Sequence, residues 1–550
     1  MLIPYSELRY LIVDDFDSYR ASLNEMILGI GANHVYLARD GKEAIRMCKA
    51  TPYDVIFMDY NLGKGKNGQQ ILEELHASNL IKNRTVFIMT TAEVNTGMVL
   101  SALEHQPDVY LAKPFSFTEL KNRLDTAYIR NKELEDILWA LDASDYKKAI
   151  THCDEKIDKR NSTAFWCQKI KAELLYKTGQ YEGALEIYQP PADDRQSSWA
   201  LLGLGKTLTA MKKFSEANRY LSLLLEKTPL SLEAHDALAD NLQKSGDIEL
   251  AQQTLKSALS ISGRSVPRHK TYADICIQNE DLESALDALR KAISLATNSI
   301  HYGADNGLRL ARCLTLYASG VEQVVAKSLI KEALNTLAEV TKEFGEPEVQ
   351  VKSKLAEACA HHVIKNSREV NAAIDIAATL HGALETDKPA EILLEFVDTY
   401  GQTDNDEKAQ DVVSVLQERY SNDAIIVSAL DVLLDKPVSK DAQQDIKGIN
   451  KRGVSHYKKG RYDYAIEEFS IALARYPKHV GIQLNLMQAL LAILAEDSNE
   501  KCLKKCHVVM KKLDRISEDD EQFTRYQSLK SKFEKLKDKL NADNDDSASG

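Results

Sequence analysis

At 550 residues, with 44% apolar and 28% charged side chains, the chain has the make-up of a folded multidomain protein and not of a disordered or membrane-embedded one. Its formal net charge of -12 and pI near 5.7 repel phosphate backbones and anionic lipid, which argues against a nucleic-acid output. The opening residues MLIPYSELRYLIVDD lack the basic stretch, apolar run and cleavage site of a secretory signal, and the longest apolar run, Leu486 to Ala495, falls short of the roughly 20 residues a membrane helix needs, so a cytoplasmic protein with no membrane contact is expected.

Over residues 1–130, short β-branched runs alternate with amphipathic stretches. In order they are LRYLIVDD, a helix from Ser18 to about Gly29, HVYLA, GKEAIRMCKA, DVIFMDY, a helix after Gly68, TVFIMTT, a helix to His105, DVYLAKP and FTELKNRLDTAYIR. Five strands and five helices follow. Near-continuous apolar strands predict burial on both faces, as in a doubly wound, five-stranded parallel α/β sheet, whose ligands bind at the carboxyl ends of the strands. There the first strand ends in Asp14 and Asp15, the third in Asp59, the fourth in Thr90 and Thr91, and the fifth in Lys113 before Pro114. Three carboxylates on one edge repel one another unless a hard divalent cation lies among them, and Mg²⁺ takes oxygen ligands together with retained waters. Lys113 puts a fixed positive charge where phosphoryl oxygens would sit, so metal and lysine together favour in-line transfer to a carboxylate oxygen. The product of that chemistry is an aspartyl phosphate. Any one of these acidic residues, taken alone, reads as a solvated loop residue; the set carries the inference.

The succession DD, MDYNLGKGKNG, TTAE and YLAKPF resembles, in order and spacing, the motifs of the CheY-like receiver domain of two-component response regulators, a flavodoxin-like fold, over about the first 130 residues. The resemblance implies that Asp14 and Asp15 help to bind Mg²⁺, that Asp59 is both phosphoacceptor and ligand, and that the backbone carbonyl of Asn61 completes the protein's share. It also implies that Lys113 contacts the phosphoryl group, that the Lys113-Pro114 bond is cis, and that a sensor histidine kinase or phosphotransfer protein is the donor. The family's switch pairs a hydroxyl on the fourth strand with an aromatic on the fifth; Thr91 and Tyr110 hold those places, and the fourth helix, fifth strand and fifth helix form the signalling face. For Tyr110 alone, a half-buried strand tyrosine is the plainer account. The loop NLGKGKNG departs from the pattern, having no proline near Gly63 and one residue more than usual before Gly68. Asn61 and Glu93 stand where family members tune phosphoryl lifetime.

Beyond residue 130 strand signals vanish and paired amphipathic helices take over. Ala149, Ala184, Ala217, Ala251 and Ala285 are separated by 35, 33, 34 and 34 residues, the tetratricopeptide period. Ala172, Gly205 and Ala239 stand 12 before their alanines, Gly179 and Gly246 five before theirs, and Pro229 12 after Ala217. Small residues let paired helices cross closely, and the glycine ends the first helix in a left-handed conformation. KRGVSHYKKGRYDYAIEEFSIALARYPKH places Gly453, Gly460, Ala465, Phe469, Ala472 and Pro477 at consensus positions. The chain thus resembles tetratricopeptide (TPR) proteins over about 140–295 and 445–495, which implies an all-α superhelical solenoid. The expected organisation is repeats over 131–300, degenerate repeats over 301–440, further repeats over 441–515, a capping helix over 516–540 and a disordered acidic tail over 541–550. A helix-start signal spans Ser517 to Asp520, and Phe523, Tyr526, Leu529, Phe533, Leu536 and Leu540 recur at helical spacing; a coiled-coil partner helix is the alternative, but the heptads are too few.

Such solenoids bind proteins or peptides in a groove and do no chemistry themselves, although spacing or dimerising other parts is a plainer role. Grooves that clamp a carboxyl terminus use Lys and Asn at fixed places on the first helices; Asn485 fits and Val454 does not, so a co-chaperone clamp is not expected. Cys48, Cys153, Cys167, Cys276, Cys313, Cys359, Cys502 and Cys506 include no CxxC pair and read as reduced core thiols. Cys502, Cys506 and His507, about one helical turn apart, are the one group with metal-ligand character, but structural zinc takes four ligands. The sequence as a whole reads as a non-enzymatic response regulator, phosphorylated on Asp59 and signalling through protein contacts of its repeats. A phosphate sink or adaptor that limits phosphotransfer to another regulator is one alternative, a phosphorylation-independent scaffold another, and either domain is compatible with a homodimer.

Overall fold

The computed structural model describes residues 3–63, 65–92, 107–159, 163–195, 197–383, 389–496, 500–514, 516, 518 and 520–548. The chain falls into two compact units, one of residues 1–241, 252–272 and 288–302, the other of residues 242–251, 273–287 and 303–550. Among the described residues, no helix is long and apolar enough to cross a membrane.

The first unit opens with strands β1 (Arg9–Val13), β2 (His34–Ala38), β3 (Val55–Asp59), β4 (Val86–Thr91) and β5 (Val109–Ala112), joined in the order β2-β1-β3-β4-β5. All pairs are parallel, which requires crossovers, and helices α1 (Asp17–Gly29), α2 (Gly41–Ala50) and α3 (Gly68–Ala77) supply three of them. The helix expected to reach His105 lies outside the described residues, as does Glu93. α4 (Phe117–Glu133) follows β5. Period-2 alternation sends Leu11, Val13, Ile56, Met58, Phe87 and Met89 to one face, against α2 and α3, and Tyr10, Ile12, Phe57, Ile88 and Leu111 to the other, where Leu23 and Ile27 of α1 and Leu120 and Leu124 of α4 cover them. The edge strand β2 departs from the expected burial on both faces, since Tyr36 and Leu37 are exposed.

α4 runs past residue 130 to Glu133, and Leu134 alone separates it from the helix Glu135–Asp142. That helix packs back on the sheet's lower edge. The Asn83 amide nitrogen and side chain both donate to Asp142, at 2.8 and 2.9 Å, and the Arg84 guanidinium stacks 3.7 Å over the Trp139 ring. Arg130 pairs with Asp108, which also accepts from the Phe87 amide at 2.9 Å, and lies 5.2 Å over Trp166.

Helical hairpins follow, and the sequence period is visible in their backbone. Left-handed residues recur at Ser144, Gly179, Lys212, Gly246 and Glu280, each five before one of the periodic alanines, and those alanines are fully buried. The small residues do what their positions imply. A Cβ on Gly205 would lie 2.5 Å from the Leu221 side chain, and one on Gly453 2.5 Å from the Phe469 ring, so each close helix crossing needs the missing methyl. Over 301–440, where the sequence pattern is weak, Lys365 and Asp404 take the left-handed conformation five residues before Val370 and Ala409, which extends the register into that stretch. The C-terminal helix spans Phe523–Ala548, so residues 541–548 continue it and are not the expected disordered tail. Neither Gly nor Pro occurs between Phe523 and Ala548, and each added residue of a running helix gains a hydrogen bond. Ser517 of the expected start signal lies outside the described residues.

Candidate functional site

Register carries the expected residues to one edge. Asp59 is paired with Thr90 and Val13 with Met58, while Thr91 faces Ala112, so the strand ends bearing Asp14, Asp59, Thr91 and Lys113 finish level. The loop between β3 and α3 holds the acceptor side in place. Asn67 caps α3 in a reciprocal capping box with Gln70, and the Gly68 amide donates to the Tyr60 carbonyl at 2.8 Å. A Cβ on Gly68 would collide with the Asp59 carbonyl oxygen, which explains why this turn needs glycine although its φ is ordinary.

Lys113 reaches between two carboxylates, with its Nζ 2.6 Å from Asp14 Oδ2 and 2.6 Å from Asp59 Oδ1. All three side chains are buried. Burial pushes the Asp59 carboxyl above its ordinary value, against the opposing pull of Lys113. Burial acts to lower the Lys113 ammonium, yet the two carboxylates together hold it above its ordinary value. The remaining Asp59 oxygen accepts from the Asn61 amide at 3.2 Å, and Asp14 Oδ1 accepts from the Phe16 amide at 2.9 Å. Asp15 completes the cluster, since ligand atoms of Asp14, Asp15 and Asp59 lie within 4.8 Å of one another. Its Oδ1 is buried with no hydrogen-bond partner among the described residues. A buried, unsatisfied carboxylate oxygen beside two further carboxylates is an environment completed by a hard cation, so the donor set fits one. The Lys113-Pro114 bond is cis. Thr91 is buried at the end of β4, and Tyr110 is half-buried on β5.

Two features had no sequence signal. Tyr19, from the first turns of α1, places its ring 4.4 Å beneath the Lys113 ammonium, and Arg20 donates to the Asp14 carbonyl; both depend on how α1 enters after the β1 loop. Among the described residues, Cys502, Cys506 and His507 are not brought together at metal-ligand spacing. His507 packs edge-on against Phe533 at 4.9 Å, Cys502 donates to the Leu490 carbonyl at 3.2 Å, and among the described residues the carboxylate trio is the group spaced to hold a metal. All eight cysteines are free thiols.

The response regulator receiver domain family matches residues 10–125. The chemotaxis protein CheY-3 of Vibrio cholerae is 31% identical over 123 residues, which are 22% of this chain and 93% of that protein. Residues 10–125 place this chain in the response regulator receiver family. The chemotaxis protein CheY of Pseudomonas aeruginosa is 28% identical over 123 residues, 22% of this chain and 98% of that protein. A solved receiver domain, that of the Francisella response regulator 1452, is 29% identical and covers 22% of this chain and 98% of its own, with a TM-score of 0.21. Tetratricopeptide repeat families match residues 271–299 and 450–493. The protein is therefore a CheY-like receiver domain followed by tetratricopeptide-type helical repeats.

Proposed function

We propose that this protein is a cytoplasmic response regulator that accepts a phosphoryl group on Asp59 from a sensor histidine kinase or phosphotransfer protein, and signals through protein contacts of its repeats instead of DNA. The observation that carries the reading is the Lys113 ammonium held between Asp14 and Asp59 beside the unsatisfied oxygen of Asp15. Asp14, Asp15, Asp59 and the Asn61 carbonyl would hold Mg²⁺, which when bound neutralises charge on the transferring phosphoryl oxygens. An Asp59 carboxylate oxygen attacks phosphorus as the bond to the donor breaks, and the donor's nitrogen or oxygen leaves with the bonding electrons. Lys113 then trades a carboxylate for a phosphoryl oxygen, keeping its charge compensated throughout. Thr91 and Tyr110 are the proposed switch pair. The chain's acidic balance supports a protein partner over a nucleic acid.

Acetyl-phosphate labelling with Mg²⁺, resolved on a phosphate-affinity gel, tests the reading. The wild type is expected to shift and Asp59→Asn to lose the shift; labelling that persists in Asp59→Asn would remove Asp59 from the role.

A further inference from the structure

Tyr19, in the first turn of α1, stands against the phosphorylation pocket, and the chemistry set out above makes no use of it. Its ring centroid lies 4.4 Å from the Lys113 ammonium, within the roughly 6 Å over which an aromatic face attracts a cation. The side chain is 41% exposed, so it fills no part of the receiver core, and its place against a buried lysine asks for another reason.

An ammonium carries three N–H donors and accepts nothing. At Lys113 two carboxylates take donors, Asp14 Oδ2 and Asp59 Oδ1, each at 2.6 Å, and the ring stands against the same charge. The reaction draws both carboxylates away. Asp59 is the acceptor, and the oxygen that becomes an ester loses the charge that paired with Lys113. Asp14 is shared with the metal, which competes for the same oxygens. The ring is neither acceptor nor ligand, so among the described residues it is the contact of Lys113 that phosphoryl transfer leaves in place. A lysine on its flexible four-carbon stem needs such a contact to stay where charge develops.

The ring is fixed to the loop that carries Asp14. The Phe16 amide donates to Asp14 Oδ1 at 2.9 Å, the Arg20 guanidinium donates to the Asp14 carbonyl and pairs with Asp17, and the Arg20 amide donates to the Phe16 carbonyl at 3.0 Å. No side-chain cap closes the start of α1, so these contacts set how the helix enters and where Tyr19 stands.

We propose that Tyr19 is a positioning residue for phosphoryl transfer, its ring holding the Lys113 ammonium in place while Asp59 turns to phosphorus and Asp14 to the metal. The inference rests on the reading of Asp59 as phosphoacceptor, and adds a residue that sets the rate there.

The test labels the full-length wild type, Tyr19→Phe, Tyr19→Leu and Tyr19→Gln with acetyl phosphate and Mg²⁺, and follows the rate on a phosphate-affinity gel. In that reaction an Asp59 oxygen attacks phosphorus, the bond from phosphorus to the acetate oxygen breaks, and acetate leaves with the electron pair. Tyr19→Phe keeps the aromatic face and is expected to label as the wild type does. Tyr19→Leu and Tyr19→Gln remove the face and are expected to label about fivefold more slowly, the factor that follows from losing a cation–π contact at a half-exposed site. Equal rates in all four proteins overturn the inference and leave Asp59 the acceptor. Slowing of Tyr19→Phe to the rate of Tyr19→Leu also overturns it, by assigning the effect to the hydroxyl. Loss of a cooperative melt in both Tyr19→Leu and Tyr19→Gln overturns it as well, because the ring would then serve the fold. A wild type that takes no label removes the reading of Asp59, and the inference with it.

Discussion

Asp59 sits in a pocket that works against its own charge. Its carboxyl is raised by burial, so the native state holds that proton more tightly than the unfolded chain. The sign follows from linkage, whereby a group whose folded value is raised contributes a stability that is full below the ordinary carboxylate range and lost as pH rises through the raised value. In a chelator at neutral pH, Asp59→Asn is therefore expected to melt above the wild type, and the difference to close below the ordinary carboxylate value. A variant melting at or below the wild type at neutral pH would show that Lys113 fully compensates the site. Added Mg²⁺ should raise the wild type more than the variant, because a ligand of the native state alone stabilises that state. The residues behind this expectation were legible because each ends a strand, and strand ends are fixed by alternation and register. Tyr19 and Arg20 were not, because their contacts with Lys113 and Asp14 depend on the turn between β1 and α1, for which no periodicity exists.

The helical hairpins repeat a backbone event as well as a sequence. One residue per turn enters the left-handed region, and five residues later a small side chain is buried at the crossing. Where the left-handed residue is glycine, as at Gly179, Gly246 and Gly460, the repeat was legible. Where it is Lys365 or Asp404 it was not, because the residues five further on, Val370 and Ala409, stand 39 apart and leave the alanine period that made the repeats after Ser144, Lys212 and Glu280 legible. Left-handed residues other than glycine carry a conformational cost that glycine avoids. Lys212→Gly is expected to stabilise the hairpin of Ser198–Ala210 and Phe214–Lys227 by about 0.5–1 kcal/mol, the left-handed penalty less the extra entropy glycine has when unfolded. Hydrogen exchange of amides in those two helices should show the gain as slower local opening, and unchanged exchange would mean that contacts of the Lys212 side chain offset the penalty. The C-terminal helix shows the reverse failure of legibility, since its acidic composition suggested disorder while nothing in its sequence stops a helix already running.

At the scale of the whole molecule, the receiver domain and the first hairpins share one compact unit, and α4 leads into them across a single residue. Trp139 under Arg84, and Asp142 on Asn83, fasten the junction. Trypsin is expected to cut slowly after Lys132 in the wild type and several-fold faster in Trp139→Ala; equal rates would show that the junction is held by the α4 backbone alone. Neither glycine nor proline occurs between Phe117 and Ile150, which fits a stiff junction, but its fastening joins residues far apart in sequence and had no sequence signal. Asn83 and Arg84 precede β4 by a few residues, and Thr91 closes that strand at the pocket. One strand thus has the proposed switch hydroxyl at one end and the mooring of the helical repeats at the other. Reciprocity then governs the two ends: if phosphorylation of Asp59 alters the mooring, a partner that favours one state of the mooring shifts the phosphorylation equilibrium by the same factor, and the charge on the pocket reports the occupancy of the repeats as faithfully as the repeats report the charge.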